Sequence, residues 1–416
     1  MEWWRWLRHP AFWMPVADAF AILTAASLPW STSAVGIFTA CWLGSSALII
    51  DYPAWFRSLK QPICAMPLAL FALAAAGTLW SEASWDARIY ALTPAIKLLF
   101  LPGLFQYFER STRGMWVFVA FLGSCTLLMA LSWLVLLEPG LAIKGGEPQR
   151  GVFVKNYIDQ GQEFALCAVA LTYPIYVLLR ERRFWPALSF LGIVLGLLAN
   201  MIFVIVSRTA MVTMPIMLAV FAALHLRLRT SVMIFAAAAL LAGASWAASS
   251  QLRSTVHSVF SDYQRYKKEN APTSIGLRLE YWQKSLQFIR EAPLAGHGTG
   301  STRTLFEGVA AKGDPELVAS ANIIGNPHNQ TLNVAVQWGV IGVVVLWAMW
   351  ISHLLLFRGE SLVAWIGLLV VVQNIFTSLF NSHIFDFHQG WMYVLGVGVA
   401  GGMMMKRRSG EASSLQ

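Results

Sequence analysis

Long apolar runs separated by short polar breaks recur along the chain, and they set its organisation. About twelve runs are long enough to cross a hydrocarbon core of roughly 30 Å as helices. They fall near 12–28, 34–50, 63–80, 89–108, 115–137, 162–179, 185–206, 210–226, 232–248, 331–357, 362–380 and 390–405. Lys97 and two prolines interrupt the fourth run, which is expected to be broken or to line a polar cavity. The pattern predicts an all-α polytopic membrane protein with one large, partly helical polar loop. Its parts are 1–248 with nine spans, the loop 249–330, 331–405 with three spans, and a tail 406–416 whose last residues, from 409, are expected to be disordered.

Composition agrees with this reading. The 416 residues are 57% hydrophobic and 12% charged, where a soluble chain carries about a quarter charged residues. The net charge of +9 suggests nucleic acid only until the basic residues are located. Arg5 and Arg8, Arg57 and Lys60, Arg110 and Arg113, Arg180, Arg182 and Arg183, Arg227 and Arg229, Arg358, and Lys406 to Arg408 fill every second connection. That is the positive-inside pattern with both termini in the cytoplasm. It accounts for the charge without a nucleic acid. The first run contains Asp18 and has no small-x-small cleavage site, so it is expected to be retained as a helix. Cys41, Cys64, Cys125 and Cys167 all lie in apolar runs, which implies neither a disulfide framework nor a metal site.

The basic residues of the other face need a different reason. Lys144, Arg150 and Lys155 sit in the loop 138–160, and Arg208 lies between two runs that almost touch. An arginine at that depth is costly without an anion or water, although it can also snorkel to headgroups. Positive charge gathered on the outer face points to an anionic substrate such as a phosphate or diphosphate. In the large loop, 276–290 has helical periodicity, with Arg278 one turn before Trp282 on the same stripe. The following GHGTGS is a weak phosphate-loop signal that reads more simply as a flexible turn, with His297 incidental. Asn326-Pro327-His328 has the form of a helix start, with Asn326 as N-cap and His328 in the first turn. There the helix dipole keeps the imidazole neutral and able to accept a proton. Glu82 and Asp86 are isolated and no D-x-D pair exists, which disfavours a metal-carboxylate mechanism. His383, His388 and Asp386 share the last outer connection, either as a second polar cluster or as plain surface residues.

Taken in order, Arg278, Trp282, Pro293, Gly296-His297-Gly298-Thr299-Gly300, His328-Asn329-x-x-Leu332 and Gly339-x-x-Gly342 resemble the signature shared by O-antigen ligases and O-antigen polymerases. VSRTA around Arg208 and QRG around Arg150 match that family's recurrent arginines. The resemblance spans about 188–346, and chain length and the His-Asn element look more like the ligase. It implies a glycosyltransferase of the bacterial inner membrane with a periplasmic site. The donor would be polysaccharide on undecaprenyl pyrophosphate and the acceptor a sugar hydroxyl of lipid A-core, with no soluble cofactor and no metal. The implied catalytic residues are His328, Arg278 and Arg208. Arg150, Lys155, Asn329 and Trp282 are the implied substrate-binding residues. The alternatives are a polymerase using the same donor and a transporter of a lipid-linked anion. Transport would call for charges at mid-depth on several helices, and the sequence offers chiefly Lys97 and Asp18.

Overall fold

The structure, a computed structural model, describes residues 10–143, 146–269, 271, 273–311 and 325–414; Arg5, Arg8 and Lys144 lie outside them. Among the described residues there is no strand, only an isolated bridge between Glu147 and Val152. The first helices are α1 (Pro10–Ser27), α2 (Thr32–Ala47), α3 (Tyr52–Ser58), α4 (Pro62–Ala76) and α5 (Trp85–Leu92). A 3-10 stretch, Thr93–Phe100, joins α5 to α6 (Leu101–Arg110), and α7 (Gly114–Leu137), α8 (Tyr157–Ala170), α9 (Thr172–Arg180) and α10 (Phe184–Phe203) follow. Next come α11 (Arg208–His225), α12 (Leu228–Ala248) and the helices of the large polar segment: α13 (Ser250–Glu269), α14 (Ser274–Glu291) and α15 (Ser301–Ala311). The chain closes with α16 (Gln330–Leu356), α17 (Leu362–Thr377) and α18 (Phe387–Ser414), so the expected disordered tail is helical as far as Ser414.

Not all of the twelve expected spans are matched by a helix of full crossing length. Among the described residues seven are long and apolar enough to cross a membrane, or eight if α2 and α3, which meet at 115°, form one broken span. α1, α4 and α17 are apolar but shorter, and a straight crossing takes about 20 residues. α18 is long but is not among the seven, since its apolar stretch is bounded by His388 and Gln389 on one side and Lys406 to Arg408 on the other. The expected interruption at Lys97 is present as the 3-10 stretch inside the span Trp85–Arg110.

The ends of the bundle differ in chemistry. Lys406 donates to the carbonyls of Arg110 and Ser111, Arg408 donates to that of Leu356, and Arg110 pairs with Asp51 at 3.0 Å. Leu356 ends α16, and Gln330 begins it at the opposite end. Arg110, Lys406 and Arg408 therefore gather at the Leu356 end of α16, and the polar segment packs against its other half.

α16 is not a continuous helix. Its backbone breaks at Trp338 (φ −131°, ψ 15°) and Gly339 (φ 61°, ψ −156°). The groups freed by the break are paired by residues 293–300. The amides of His297 and Gly298 donate to the carbonyls of Val336 and Gln337 at 2.9 and 2.8 Å. In return, the Val340 amide donates to the Pro293 carbonyl at 2.9 Å. The Gly300 amide donates to Gln337 Oε1, and the Thr299 amide reaches the Gly77 carbonyl just past α4. Trp338 Nε1 donates to Thr299 Oγ1 at 2.9 Å, and that hydroxyl donates to the Ala74 carbonyl. Non-helical backbone at membrane depth persists only when protein supplies its hydrogen bonds, and this segment supplies them. GHGTGS is therefore a fitted insert rather than a flexible turn. A Cβ at Gly298 would lie 2.6 Å from the Gly77 carbonyl oxygen, and one at Gly339 2.2 Å from that of Leu294.

Two predictions follow from this architecture. Gly339→Ala places a side chain at a backbone angle that only glycine adopts cheaply, so it should destabilise the protein by about 1–3 kcal/mol. Thermal unfolding of the solubilised protein measures the loss. Glu181, between α9 and α10, and Ser254, in α13 beyond the other end of α10, lie at opposite ends of the bundle. In a cysteine-free background with Glu181→Cys or Ser254→Cys, an impermeant maleimide should reach only one of the two in intact spheroplasts.

Candidate functional site

α14 organises the site. Thr273 caps it by accepting from the Gly276 amide at 3.2 Å. Tyr281 and Phe288 pack into a small apolar core with Phe306 and Val336, which seats the helix against α16. Arg278 and Trp282 then lie one turn apart. The Trp282 indole donates to the Pro327 carbonyl at 3.1 Å, so the helix that carries Arg278 also holds the loop carrying His328.

The start of α16 differs from expectation. Asn329 is the N-cap, accepting from the Leu332 amide at 3.0 Å, and its Nδ2 donates to the Leu379 carbonyl. Asn326 instead forms a local turn, accepting from the His328 amide at 2.9 Å. His328 thus stands before the helix, in the left-handed region at φ 54°, rather than inside its first turn. Its ring is kept below the ordinary imidazole range mainly by burial; a hydrogen bond to Asn381 opposes this, and the Arg278 charge adds to the lowering. That ring is neutral at physiological pH, but the cause is burial rather than a first-turn position.

The Nδ1 atom of His328 lies 2.9 Å from Asn381 Oδ1. Asn326 Nδ2 donates to the same oxygen at 2.8 Å, and Asn381 Nδ2 donates to Asp386 Oδ2 at 2.6 Å. Ser382 donates to Asn326 Oδ1 at 2.8 Å and accepts from Asn333 Nδ2 at 3.1 Å, tying the connection 378–386 to α16. Among the described residues the Nε2 atom of His328 has no hydrogen-bond partner. The last connection is therefore part of the site. Asp386 is raised to about 7, by burial first and by Asp159 second, against the pull of Lys97. His383 is lowered to about 4, chiefly by burial and also by Arg278 and His328, with Asp159 opposing. Its 4.0 Å approach to Asp386 is hence not an ion pair at neutral pH.

The arginines converge from three elements. The pKa of Arg278 is lowered by burial and by the neighbouring charge of Arg208, with Tyr157 acting the other way; a guanidinium still stays charged at neutral pH. Arg208, at the start of α11, donates to Ser258 at 2.7 Å and pairs with Asp262 at 3.6 Å. Arg150 lies over the Tyr157 ring at 4.2 Å and approaches Glu147 at 3.5 Å. Arg278, Arg208 and, through Tyr157, Arg150 thus form one positive region beside His328. Lys155 points elsewhere. At φ 69° it donates to the Leu28 carbonyl at 2.6 Å, and its nearest charges are Glu163 and Asp159.

Several polar residues of this region were not singled out by the sequence. Asp159 accepts from His388 Nδ1 at 2.9 Å, from Asn156 Nδ2 at 2.7 Å and from Gln389. Gln160, Gln162 and Glu163 are buried beside it in the first turns of α8. The run DQGQE was the available signal, but it reads as a polar lead into the next span. Glu82 and Asp86 are exposed, and His297 is bonded to the Phe288 carbonyl at 2.8 Å. Among the described residues no group of three or more His, Cys, Asp or Glu side chains is placed to hold a metal ion.

Comparison with known proteins returns to the same region. Residues 193–347 match the family described as O-Antigen ligase, a stretch that includes Arg208, Arg278, Trp282, His328 and Asn329. A stretch of 88 residues is 34% identical to a Haemophilus influenzae protein described as uncharacterized; it covers 21% of this chain and 21% of that relative's length. The chain thus carries, over residues 193–347, the sequence pattern of the O-antigen ligase family.

Proposed function

We propose that the protein is an O-antigen ligase of the bacterial inner membrane. It moves polysaccharide from undecaprenyl pyrophosphate to a sugar hydroxyl of lipid A-core, with inversion and without a metal. Both termini lie in the cytoplasm and the site faces the periplasm. One observation carries the reading: a neutral imidazole whose Nε2 is unengaged among the described residues stands within electrostatic reach of Arg278, itself beside Arg208.

The acceptor hydroxyl gives its proton to His328 Nε2 as its oxygen attacks the anomeric carbon. The bond from that carbon to the diphosphate oxygen breaks, and the leaving diphosphate keeps the electron pair. Arg278 stabilises the charge that develops there with paired hydrogen bonds. Arg208 does so by sharing its guanidinium with Asp262 or releasing it, so Arg278 has the larger part. Arg150, held over Tyr157, orients the diphosphate or a phosphorylated acceptor. Trp282 and Asn329 contribute by fixing the loop and the helix end around His328. Lys155 contributes through Leu28 and the α8 carboxylates rather than by direct contact with the anion. Both substrates are lipids and enter sideways between helices.

Purified protein supplied with both lipids should form a new glycosidic product on lipid A-core. His328→Ala should lower its rate by about 10²–10⁴-fold and Arg278→Ala by about 10²–10³-fold, with membrane insertion unchanged. Product found only on the lipid carrier identifies a polymerase instead, and undiminished activity of His328→Ala removes the base. The pH profile is a separate check. A base whose folded pKa is lowered stays unprotonated further into acid, so the acid limb governed by His328 should lie below pH 6.5. Asp386 titrates nearer 7, but a neutral carboxyl still offers an oxygen to Asn381, so no limb is expected there.

A further inference from the structure

We propose that Asn381, held by Asp386, is a positioning residue that fixes the tautomer of His328 with hydrogen on Nδ1 and the lone pair on Nε2. The inference rests on the reading of His328 as the base. It concerns residues that lie outside the matched stretch 193–347 and come from the connection between α17 and α18.

The amide of Asn381 has only one workable orientation. Its nitrogen faces Asp386 Oδ2 at 2.6 Å, and its oxygen faces both Asn326 Nδ2 at 2.8 Å and His328 Nδ1 at 2.9 Å. Turning the amide over would set its NH2 against the NH2 of Asn326, and its oxygen against a carboxylate oxygen. The contact with Asn326 then becomes repulsive whatever the protonation of Asp386, and the contact with Asp386 does so when its carboxyl is ionised, so the acceptor end is held toward the imidazole. An amide oxygen offers only lone pairs. In a neutral ring Nδ1 must then carry the hydrogen, and Nε2 is left as the basic atom. The same logic applies when a carboxylate holds a catalytic imidazole, but here a neutral amide touches the ring and the carboxylate stands one step back. A carboxylate in direct contact would draw the ring toward the imidazolium form; the amide orients it without doing so. Asn326 is itself fixed by Ser382 and by the His328 amide, so four residues from two connections determine one proton position. The carbonyls of Phe385 and Asp386 accept from Lys97, which braces this turn from the span Trp85–Arg110.

The test reads the tautomer and the rate separately on the full-length protein. With ¹⁵N-labelled histidine in lipid bilayers, the His328 signals are assigned by their loss in His328→Gln. The parent should show Nδ1–H. Asn381→Leu should give the Nε2–H form or a mixture and lower kcat roughly 10²-fold, with KM little changed. The paired exchange Asn381→Asp with Asp386→Asn keeps an acceptor toward His328 and a donor toward position 381. Because a carboxylate then touches the ring and raises its pKa, the exchange should move the acid limb of the pH profile upward and, at pH above that limb, restore the Nδ1–H form and at least a tenfold share of the lost rate. An Nε2–H ring in the parent, or an unchanged tautomer in Asn381→Leu, overturns the proposal. So does an unchanged rate when the tautomer has moved. If His328→Ala remains active, the base assignment fails instead, and the measured tautomer is unaffected by that outcome.

Discussion

The backbone exchange between 293–300 and the break in α16 is the interaction on which the rest of the site depends. A helix interrupted at Trp338 and Gly339 leaves amides and carbonyls that lipid cannot satisfy, and each left unpaired costs several kcal/mol. Residues 293–300 meet that demand and are themselves fixed by it. α14, which runs into the insert, acquires a set height and angle, and with it Arg278 and Trp282. The first half of α16 is fixed from the other side, by Ser378 to the Gln330 amide at 2.9 Å and by Ser382 to Asn333. His328 lies where the two constraints meet.

Polar groups below the site follow from the same economy of partners. Asp159, Glu163, Gln389 and the glutamines of α8 are buried, and His388 is largely so, in a medium that penalises each of them alone. Asp159 is tolerable because His388, Asn156 and Gln389 all donate to it. These contacts bind α8 to α18 through specific directions rather than through shape alone. In a bilayer, apolar packing between helices offers little such directional choice.

Legibility in the sequence tracked how local each determinant is. The stripe of Arg278 and Trp282 could be read because helical spacing is a local property, and the alternating basic connections because charge needs no partner to be counted. The helix start was misplaced by three residues for a local reason as well: Asn326 bonds the His328 amide as a cap would, while the cap itself is Asn329. The glycine insert was misread because what gives it order lies around Gly77 and Gln337, far away in the chain. Asn381 and Asp159 went unnoticed because their roles exist only once α8, α16 and the last connection are brought together. Of the twelve expected spans, seven or eight have, among the described residues, a helix that is both long and apolar enough to cross, because the break between α2 and α3 and the shortness of α1, α4 and α17 arise from local turns that apolar length does not reveal.

The insert also bears on how the chain is made. Residues 293–300 leave the ribosome before 330–356, and domains of a growing chain tend to order from the N-terminal side. When α16 enters the bilayer, the strand of backbone that completes it has already been synthesised and, with α4 in place, has somewhere to lodge. The reverse order would place a broken helix in lipid with nothing to close it. Vectorial synthesis is therefore suited to this fold: the piece that seals the membrane helix always precedes the helix it seals.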